Sequence, residues 1–294
     1  MAGPAQGSSA AAVRHGLSFD VECYTQIVAK DYLGQRVAPT VEVERNTTWI
    51  LDLLAARSVT ATFFTLGNVA VAYPGLIRRM VAEGHEVGVH GHDHLYLTRL
   101  TRASFRDELR RALGALRQAG ATEVRGHRAP AFSLVASTLW ALDVMAEAGL
   151  TYDSSIYPLR ARRFGVAAAP RLAHRLANGL VEVPMTVVDG GGRALPAAGG
   201  GYARVFPYFY TRWALRACEA EGRPAIAYFP PHEFEPSRPA VAAPGSAPLA
   251  LRLKLARFNA LQAIGRGEAC RRKLERLLTE FRFRPLRDIA AEVA

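Results

Sequence analysis

The sequence predicts an α/β fold with a parallel sheet that is either open or closed into a barrel. Two observations lead to this fold class. Predicted strands and helices alternate along much of the chain, and chemically active side chains stand at or just past predicted strand ends, where the active sites of such folds lie. These side chains are Asp20, Glu22, His90, His94, Arg128 and Asp153.

Each element follows from local composition. Apolar or β-rich runs predict strands at 16–20, 60–65, 87–89, 123–126, 151–156, 180–188, 225–229 and 281–283. Apolar residues at helical spacing predict helices at 41–57, 75–83, 101–118, 133–148, 208–222, 249–264, 270–280 and from 286 onward. The glycine-rich stretches 190–192 and 199–201 lack the Lys and Ser/Thr of a phosphate-binding loop, and we interpret them as a turn or flexible flap.

The charge balance favours anionic partners. Among 294 residues, 37 are basic and 26 acidic, which gives a net charge of +11. This charge suits acidic glycans, anionic lipid headgroups or nucleic acid, and an arginine-rich solvated surface explains it equally well. We expect no nucleic-acid binding, because no helix-turn-helix or aromatic RNA-binding motif accompanies the charge. The three cysteines are too few and too far apart for a disulfide framework or a cysteine-based zinc site.

Targeting signals are not found in the sequence. Residues 1–14 lack the apolar run of a signal peptide and predict a disordered tail. No stretch reaches the apolar length needed to cross a bilayer. We therefore expect a cytoplasmic location, either free or peripheral to the inner membrane.

The ten residues from His85 to His94 read H-E-V-G-V-H-G-H-D-H and contain four histidines. Neutral imidazole is the commonest protein metal ligand, and zinc sites combine His with Asp, Glu or Cys. We expect His90 and His94 to bind a metal at a strand end, whereas His85 and His92 are as well explained as polar loop residues. The H-E-x-x-H zincin signature does not fit, because the second His comes one residue late and Val-Gly-Val is poor helix material.

Two acids close the first predicted strand. Because alternate side chains of a strand share a face, Asp20 and Glu22 are expected to point to one side. Two carboxylates so placed are unfavourable unless a cation or an arginine holds them. In such an arrangement one acid can bind a metal while its neighbour acts as a base.

Six motifs resemble, in order, those of the NodB-homology polysaccharide deacetylases, carbohydrate esterase family four. The first three are F-D-V-E at 19–22, H-G-H-D-H at 90–94 and R-A-P at 128–130. The others are similar to a narrower branch, the exosortase-associated (XrtA/PEP-CTERM type) exopolysaccharide deacetylases. They are Y-D-S-S at 152–155, L-P-A-A-G-G-G-Y at 195–202 and Y-F-P-P-H-E-F-E-P at 228–236, and the ending at 272–286 also resembles that branch.

This resemblance implies a distorted, incomplete (β/α) barrel that holds one divalent metal, with zinc as the expected ion. It implies a single catalytic domain over 15–294 with a C-terminal helical extension. The metal would polarise an acetamide carbonyl and lower the pKa of its bound water. Asp20 matches the family's base and Arg128 the arginine that orients it. His90 and His94 match the metal histidines, and Glu22 becomes the third ligand because Val21 stands where adjacent aspartates are commoner.

Further roles come from the same resemblance. The backbone N–H of Ala131 falls where the family donates to the tetrahedral oxyanion. Asp153 matches a residue that supports the acid histidine, with a strand-end cap as the alternative. Pro230 occupies the register of that histidine, and His232 comes two residues later. We expect His232 to face the same side and act as the general acid; otherwise that role is weakened or lost.

The function predicted from these residues is a metal-dependent hydrolase. It would remove N-acetyl groups from a bacterial exopolysaccharide or its precursor, which could be acidic or lipid-linked, through attack of a metal-bound water with Asp20 as base. One alternative is an amide or cyclic-imide hydrolase of a small molecule on the same fold. Another is a non-catalytic glycan-binding relative. His127 is interpreted as a neighbour of the arginine, and Glu182 and Glu233 could equally be structural ion-pair partners.

Overall fold

The computed structural model describes residues 13–161, 164–237 and 241–293. Its main feature is a nine-stranded sheet, accompanied by a separate two-stranded hairpin. The strands are β1 Arg14–Val21, β2 Thr62–Thr65, β3 Glu86–Val89, β4 Gly126–His127, β5 Tyr152–Asp153, β6 His174–Arg175, β7 Val181–Glu182, β8 Val187–Gly190, β9 Arg193–Pro196, β10 Ile226–Phe229 and β11 Arg282–Arg284. The helices are α1 Tyr24–Leu33, α2 Val41–Ala56, α3 Gly67–Ala72, α4 Pro74–Ala82, α5 Arg102–Gln118, α6 Ala141–Glu147, α7 Gly200–Val205, α8 Tyr208–Ala220, α9 Leu249–Ala263, α10 Glu268–Glu280 and α11 Leu286–Ala291.

The strand order confirms the predicted α/β fold. The sheet runs β10-β1-β2-β3-β4-β5-β7-β6, and β11 also pairs with β1. Every pairing in this sheet is parallel except that between β6 and β7. Within the described residues the end strands β10 and β6 do not pair with each other, so the barrel is incomplete. The parallel strands bring their carboxyl ends to one rim, where the site of such folds is expected.

Strand β1 shows how the sequence produces both the core and the site. Successive side chains of a strand point to opposite faces, and one face of β1 packs into the main apolar core through Leu17, Phe19 and Val21. The alternate residues Ser18 and Asp20 are also buried, on the inner side of the sheet. A strand buried on both faces is typical of a parallel sheet. Its carboxyl end therefore delivers acids into the barrel.

The helix predicted at 133–148 is wrong in extent. The observed α-helix is Ala141–Glu147. The Thr138 hydroxyl donates to the Ser133 carbonyl oxygen, and the Val135 N–H donates to that same hydroxyl oxygen. Such local side-chain bonds offer the backbone an alternative to the helix, so the first half of the segment forms irregular turns.

Two other predictions differ from the structure. The strand predicted at 180–188 divides into β7 and β8, because Pro184 in its middle has no N–H for a sheet hydrogen bond. The flap predicted at 199–201 instead begins a helix, Gly200–Val205. A Cβ on Gly199 would lie 2.0 Å from the Tyr228 ring and one on Gly200 2.3 Å from the Tyr228 hydroxyl oxygen, so these two glycines permit a close approach of the backbone to an aromatic side chain.

The first and last strands of the described residues pair with each other. A disordered tail is predicted for 1–14, and its residues 1–12 lie outside the described residues. Strand β1 begins at Arg14, inside the predicted tail. At the other end β11 pairs with β1 in the register Arg14↔Arg282. The single domain over 15–294 stays a prediction. None of the described helices is long and apolar enough to cross a membrane.

Candidate active site

Three predicted ligands converge at the carboxyl ends of β1 and β3. Glu22, His90 and His94 each offer one donor atom, and these atoms lie within 4.8 Å of one another. The Glu22 Oε2 atom is 2.9 Å from His94 Nε2 and 3.3 Å from His90 Nε2. All three side chains are buried. Two imidazoles and one carboxylate form a donor set that suits a divalent cation.

The backbone explains why the two imidazoles meet. His90 follows β3, and its N–H donates to the carbonyl oxygen of Thr65 on β2 at 3.1 Å. The 2.8 Å contact between His90 Nδ1 and the Arg128 carbonyl oxygen assigns the proton to Nδ1, which leaves the Nε2 lone pair for a cation. His94 closes the loop in a left-handed conformation, with φ of 54°. The Lys30 ammonium donates to the His94 carbonyl oxygen and holds that turn.

The electrostatics keep Glu22 ionised. Burial alone would raise its pKa, but the charge of His94 and the hydrogen bonds from His90 and His94 lower the pKa of Glu22 well below its ordinary value. Burial opposes a charge on both imidazoles. For His90 the carboxylates of Asp20 and Glu22 outweigh that effect and raise its pKa, whereas for His94 burial prevails and lowers it. The cluster thus has one carboxylate facing two imidazole nitrogens.

Asp20 and Arg128 form a buried ion pair beside this cluster. The Arg128 guanidinium is fully buried and donates from one nitrogen to Asp20 Oδ1 and to Ser18 Oγ, both at 2.8 Å. It also donates to the carbonyl oxygen and the hydroxyl of Ser154 at 2.9 Å. Its charge lies 4.3 Å from the centroid of the Phe64 ring. Arg128 is therefore fixed on several sides and can fix Asp20 in turn.

Ala131 lies beside the cluster in an uncommon conformation. It has φ of 51° and ψ of 29°, and Phe132 also has a positive φ. Non-glycine residues in this region are unusual and occur where the surrounding structure imposes them, often at functional sites. Ala131 lines the same pocket as Asp20 and Glu22, a cavity of about 260 Å³.

His232 reaches the site by a path that differs from the expected extended one. Strand β10 ends at Phe229, Pro230 is extended, and Pro231–Phe234 forms a 3-10 turn. This turn nevertheless places His232 in the pocket, with Nδ1 3.7 Å from Glu22 Oε1. The Nδ1 atom is buried without a hydrogen-bond partner among the described residues.

The ring of His232 lies between two carboxyl groups. Its Nε2 atom is 4.0 Å from Glu233 Oε1. Burial lowers the pKa of His232 to about 3 despite the opposing charge of Glu22, so the resting imidazole is neutral. Burial also raises the pKa of Glu233 to about 7, although Glu233 pairs with Arg204 at 2.7 Å.

Asp153 does not meet His232. It is fully buried, and its carboxylate is bonded to His127 Nδ1 at 2.7 Å and accepts the N–H and hydroxyl of Ser155 at 3.0 and 2.8 Å. No hydrogen bond joins Asp153 to His232 among the described residues, and the support expected from Asp153 stays a prediction. The bond to the N–H two residues on has the form of a strand-end cap, and His127 is the histidine that Asp153 binds. Glu182 accepts the Ile156 N–H at 2.9 Å, and burial together with the charge of Asp153 raises its pKa well above the ordinary value.

Two site residues were not predicted from the sequence. Ser18 and Ser154 bind Arg128 through their hydroxyls. Ser18 could have been found from the period of two, because it shares a strand face with Asp20. Ser154 carried no such signal, since its contact depends on where β5 lies relative to β4.

Family models match two parts of the chain. Residues 35–152 match the model described as polysaccharide deacetylase, and residues 154–291 match one described as a domain of unknown function (DUF3473). A chitooligosaccharide deacetylase from Bradyrhizobium sp. (strain ANU 289) is 42% identical over 98 residues, which are 33% of this chain and 42% of that relative. The matched segment thus spans less than half the length of that curated relative.

Solved structures share the fold. A structure described as a polysaccharide deacetylase from Mycobacterium smegmatis is similar with a TM-score of 0.66 and 19% identity, over 99% of this chain and 93% of that one. The Puue allantoinase is similar with a TM-score of 0.58 and 18% identity, over 95% and 88% of the two chains. At such identities the likeness shows the fold alone. It confirms the α/β fold and the incomplete barrel.

Proposed function

We propose, from the polysaccharide deacetylase family that these matches support, that this chain is a metal-dependent hydrolase that removes N-acetyl groups from a glycan. The observation that carries the proposal is the meeting of Glu22, His90 and His94 beside the Asp20–Arg128 pair. Hydrolysis of an amide needs an electrophile near the carbonyl oxygen, a base for water and a proton for the leaving amine. Each need has a candidate group within this pocket.

Glu22, His90 and His94 would hold the cation. When bound, a divalent ion in this position would polarise the acetamide carbonyl and lower the pKa of a nearby water. The His90 ring is already oriented for this role by its contact with the Arg128 carbonyl oxygen. Such outer contacts fix the tautomer of a metal histidine. Zinc is the ion we propose, since two His and one Glu form a known catalytic zinc set.

Asp20 is proposed as the base. Arg128 holds Asp20 through Oδ1 at 2.8 Å, so Oδ2 would take the proton as water adds to the acetamide carbon. The four short hydrogen bonds of the guanidinium leave it little freedom. A base held in this way needs no reorientation during the reaction.

Ala131 and His232 are proposed to act after water has added, on the negative oxygen and on the leaving amine. Water addition puts negative charge on the carbonyl oxygen, and the N–H of Ala131 would donate to it. When the C–N bond breaks, the amine requires a proton. Neutral His232 would pass this amine a proton, and the proton that Asp20 takes from the attacking water keeps the step balanced.

The proposed substrate is an N-acetylated glycan of a bacterial exopolysaccharide or its precursor. A cleft of about 760 Å³ opens beside the pocket, within the usual range for ligand sites. Aromatic rings line its walls, and their flat faces can pack on the apolar faces of sugar rings. These rings belong to Tyr32, Tyr96, Tyr157, Tyr202 and Phe258. Arg99 and Lys254 also line the cleft and favour an acidic or lipid-linked glycan. The exosortase-associated branch and the cytoplasmic location remain part of this proposal.

Metal analysis and acetate release from N-acetylglucosamine oligomers test the proposal together. We expect about one divalent ion per chain in the wild type. Asp20→Asn should keep the ion and lose activity by about 100-fold or more, whereas Glu22→Gln should lose both. Asp107→Asn, at an exposed ion pair on α5, serves as the matched control and should change neither.

The other outcomes are informative. Loss of the ion from Asp20→Asn would make Asp20 a ligand rather than the base. Opening of a cyclic imide or ureide without acetate release would favour a small-molecule amide hydrolase. Glycan binding with no turnover, unaffected by His232→Gln, would favour a non-catalytic relative.

A further inference from the structure

Helix α9 carries a row of exposed apolar side chains. Leu249, Leu253, Ala256 and Ala260 follow one another at intervals of four, three and four residues, so they lie along one line of the helix. All four are exposed, and Leu249 and Leu253 are 66% and 56% accessible. Single exposed apolar residues are ordinary, but an aligned row marks an interaction surface.

Further exposed apolar residues lie at the end of the helix. Leu261 is 60% exposed and Ile264, just past the last helical residue, is 53% exposed. Within the described residues this segment therefore carries four large exposed apolar side chains over about four turns. The opposite face of α9 is occupied, since Leu255 is buried against Tyr24 and Val28 of α1. The side of α9 that packs on the protein is therefore distinct from its exposed face.

The charges around this face are of one sign. Arg252, Lys254 and Arg257 lie on α9 among its exposed residues. The sequence from 241 to 267 contains no Asp or Glu. An exposed apolar row that is flanked only by basic side chains suits contact with the headgroup region of an anionic bilayer. A second copy of this chain would suit the face less well, because the two basic faces would repel each other.

We propose that the exposed face of α9, formed by Leu249, Arg252, Leu253, Ala256 and Arg257, docks on the surface of a membrane that contains anionic lipid. The apolar side chains enter the boundary between headgroups and acyl chains, and the arginines contact lipid phosphates. Docking does not depend on the proposed reaction, so either can fail alone.

Vesicle sedimentation tests the proposal with the full chain. Vesicles of phosphatidylcholine with one-third phosphatidylglycerol should bind the wild type, and vesicles of pure phosphatidylcholine should bind it at least tenfold more weakly. Arg252→Gln with Arg257→Gln should weaken binding to the anionic vesicles by about 25-fold, from about fivefold per cation. Leu249→Ser with Leu253→Ser should weaken it by tenfold or more.

A control variant shows whether the effect belongs to this face or follows from the loss of any exposed cation and apolar side chain. Val71→Ser with Arg117→Gln removes one exposed apolar residue and one exposed cation elsewhere, on α3 and α5, and should bind the anionic vesicles as the wild type does. All variants should release acetate from soluble oligomers at the wild-type rate, because none lines the catalytic pocket.

Three results would overturn the proposal. One is an equal loss of vesicle binding in the control variant. A second is equal binding of the wild type to both kinds of vesicle, or to neither. The third is a dimer in solution that Leu249→Ser with Leu253→Ser converts to a monomer, which would show that α9 contacts a second copy.

Discussion

Replacing Arg128 by Met is expected to destabilise the fold strongly. The guanidinium is fully buried and makes four hydrogen bonds of 2.8 to 2.9 Å, to Ser18, Asp20 and Ser154. Its loss leaves the Asp20 carboxylate, only 4% exposed, without its cation. Breaking a buried pair on one side costs about 3–5 kcal/mol. For a domain of this size that corresponds to a fall in melting temperature of about 10 °C.

A double-mutant cycle isolates the pair itself. Asp20→Asn removes the carboxylate charge, so the double variant with Arg128→Met no longer buries an uncompensated charge. Urea unfolding at pH 7 without added metal should therefore give a coupling of about 2 kcal/mol between the two substitutions. The exposed pair of Arg102 and Asp143, at 2.7 Å, provides the control cycle and should give less than about 1 kcal/mol. Additive effects of Arg128→Met and Asp20→Asn would refute the argument that Arg128 holds Asp20.

Three further predictions concern pH and backbone shape. Burial would raise the pKa of Glu235, but the hydrogen bonds that its carboxylate accepts lower that pKa to about 2. Glu235→Gln should therefore lower the free energy of unfolding at pH 7 by about 2 kcal/mol, a figure reduced because the partner Arg45 is exposed. In urea titrations this difference should disappear as the pH falls from about 4.5 to 2. Burial lowers the pKa of His85 to about 4, and because its unfolded pKa is higher, wild-type stability should fall by up to about 3 kcal/mol between pH 6.5 and pH 4; a similar fall in His85→Gln would contradict this. Gly199→Ala should cost about 3 kcal/mol, since φ is 145° and a Cβ would lie 2.0 Å from the Tyr228 ring, whereas Gly114→Ala, with open space around it, should be neutral or stabilising.

The strand ends were predictable because two simple rules apply to them. Alternation along β1 placed Asp20 and Glu22 on one face, and alternating valines before His90 indicated a buried strand that opens into a loop. Parallel strands then bring those ends to one rim. These rules need only local sequence, and the structure brings Glu22, His90 and His94 together as they indicate.

Local sequence failed where the outcome depends on neighbours in space. Helix α1, which begins two residues after Glu22, was not predicted, because its buried face is decided by contacts with α9. The bond between Asp153 and His127 depends on the pairing of β4 with β5, in which these two residues stand opposite each other. The spacing of residues in the sequence does not indicate which residues of β4 and β5 stand opposite each other.

The turn after β10 explains how His232 reaches the metal cluster. Strands β1 and β10 are parallel, and their pairing ends with Phe19 opposite Phe229. The chain then continues through extended Pro230 into a 3-10 turn over Pro231–Phe234, which brings His232 beside the carboxylate of Glu22. The expectation of a continued extended segment also put His232 on this side, so the sequence indicated the position of the histidine but not the path that leads to it.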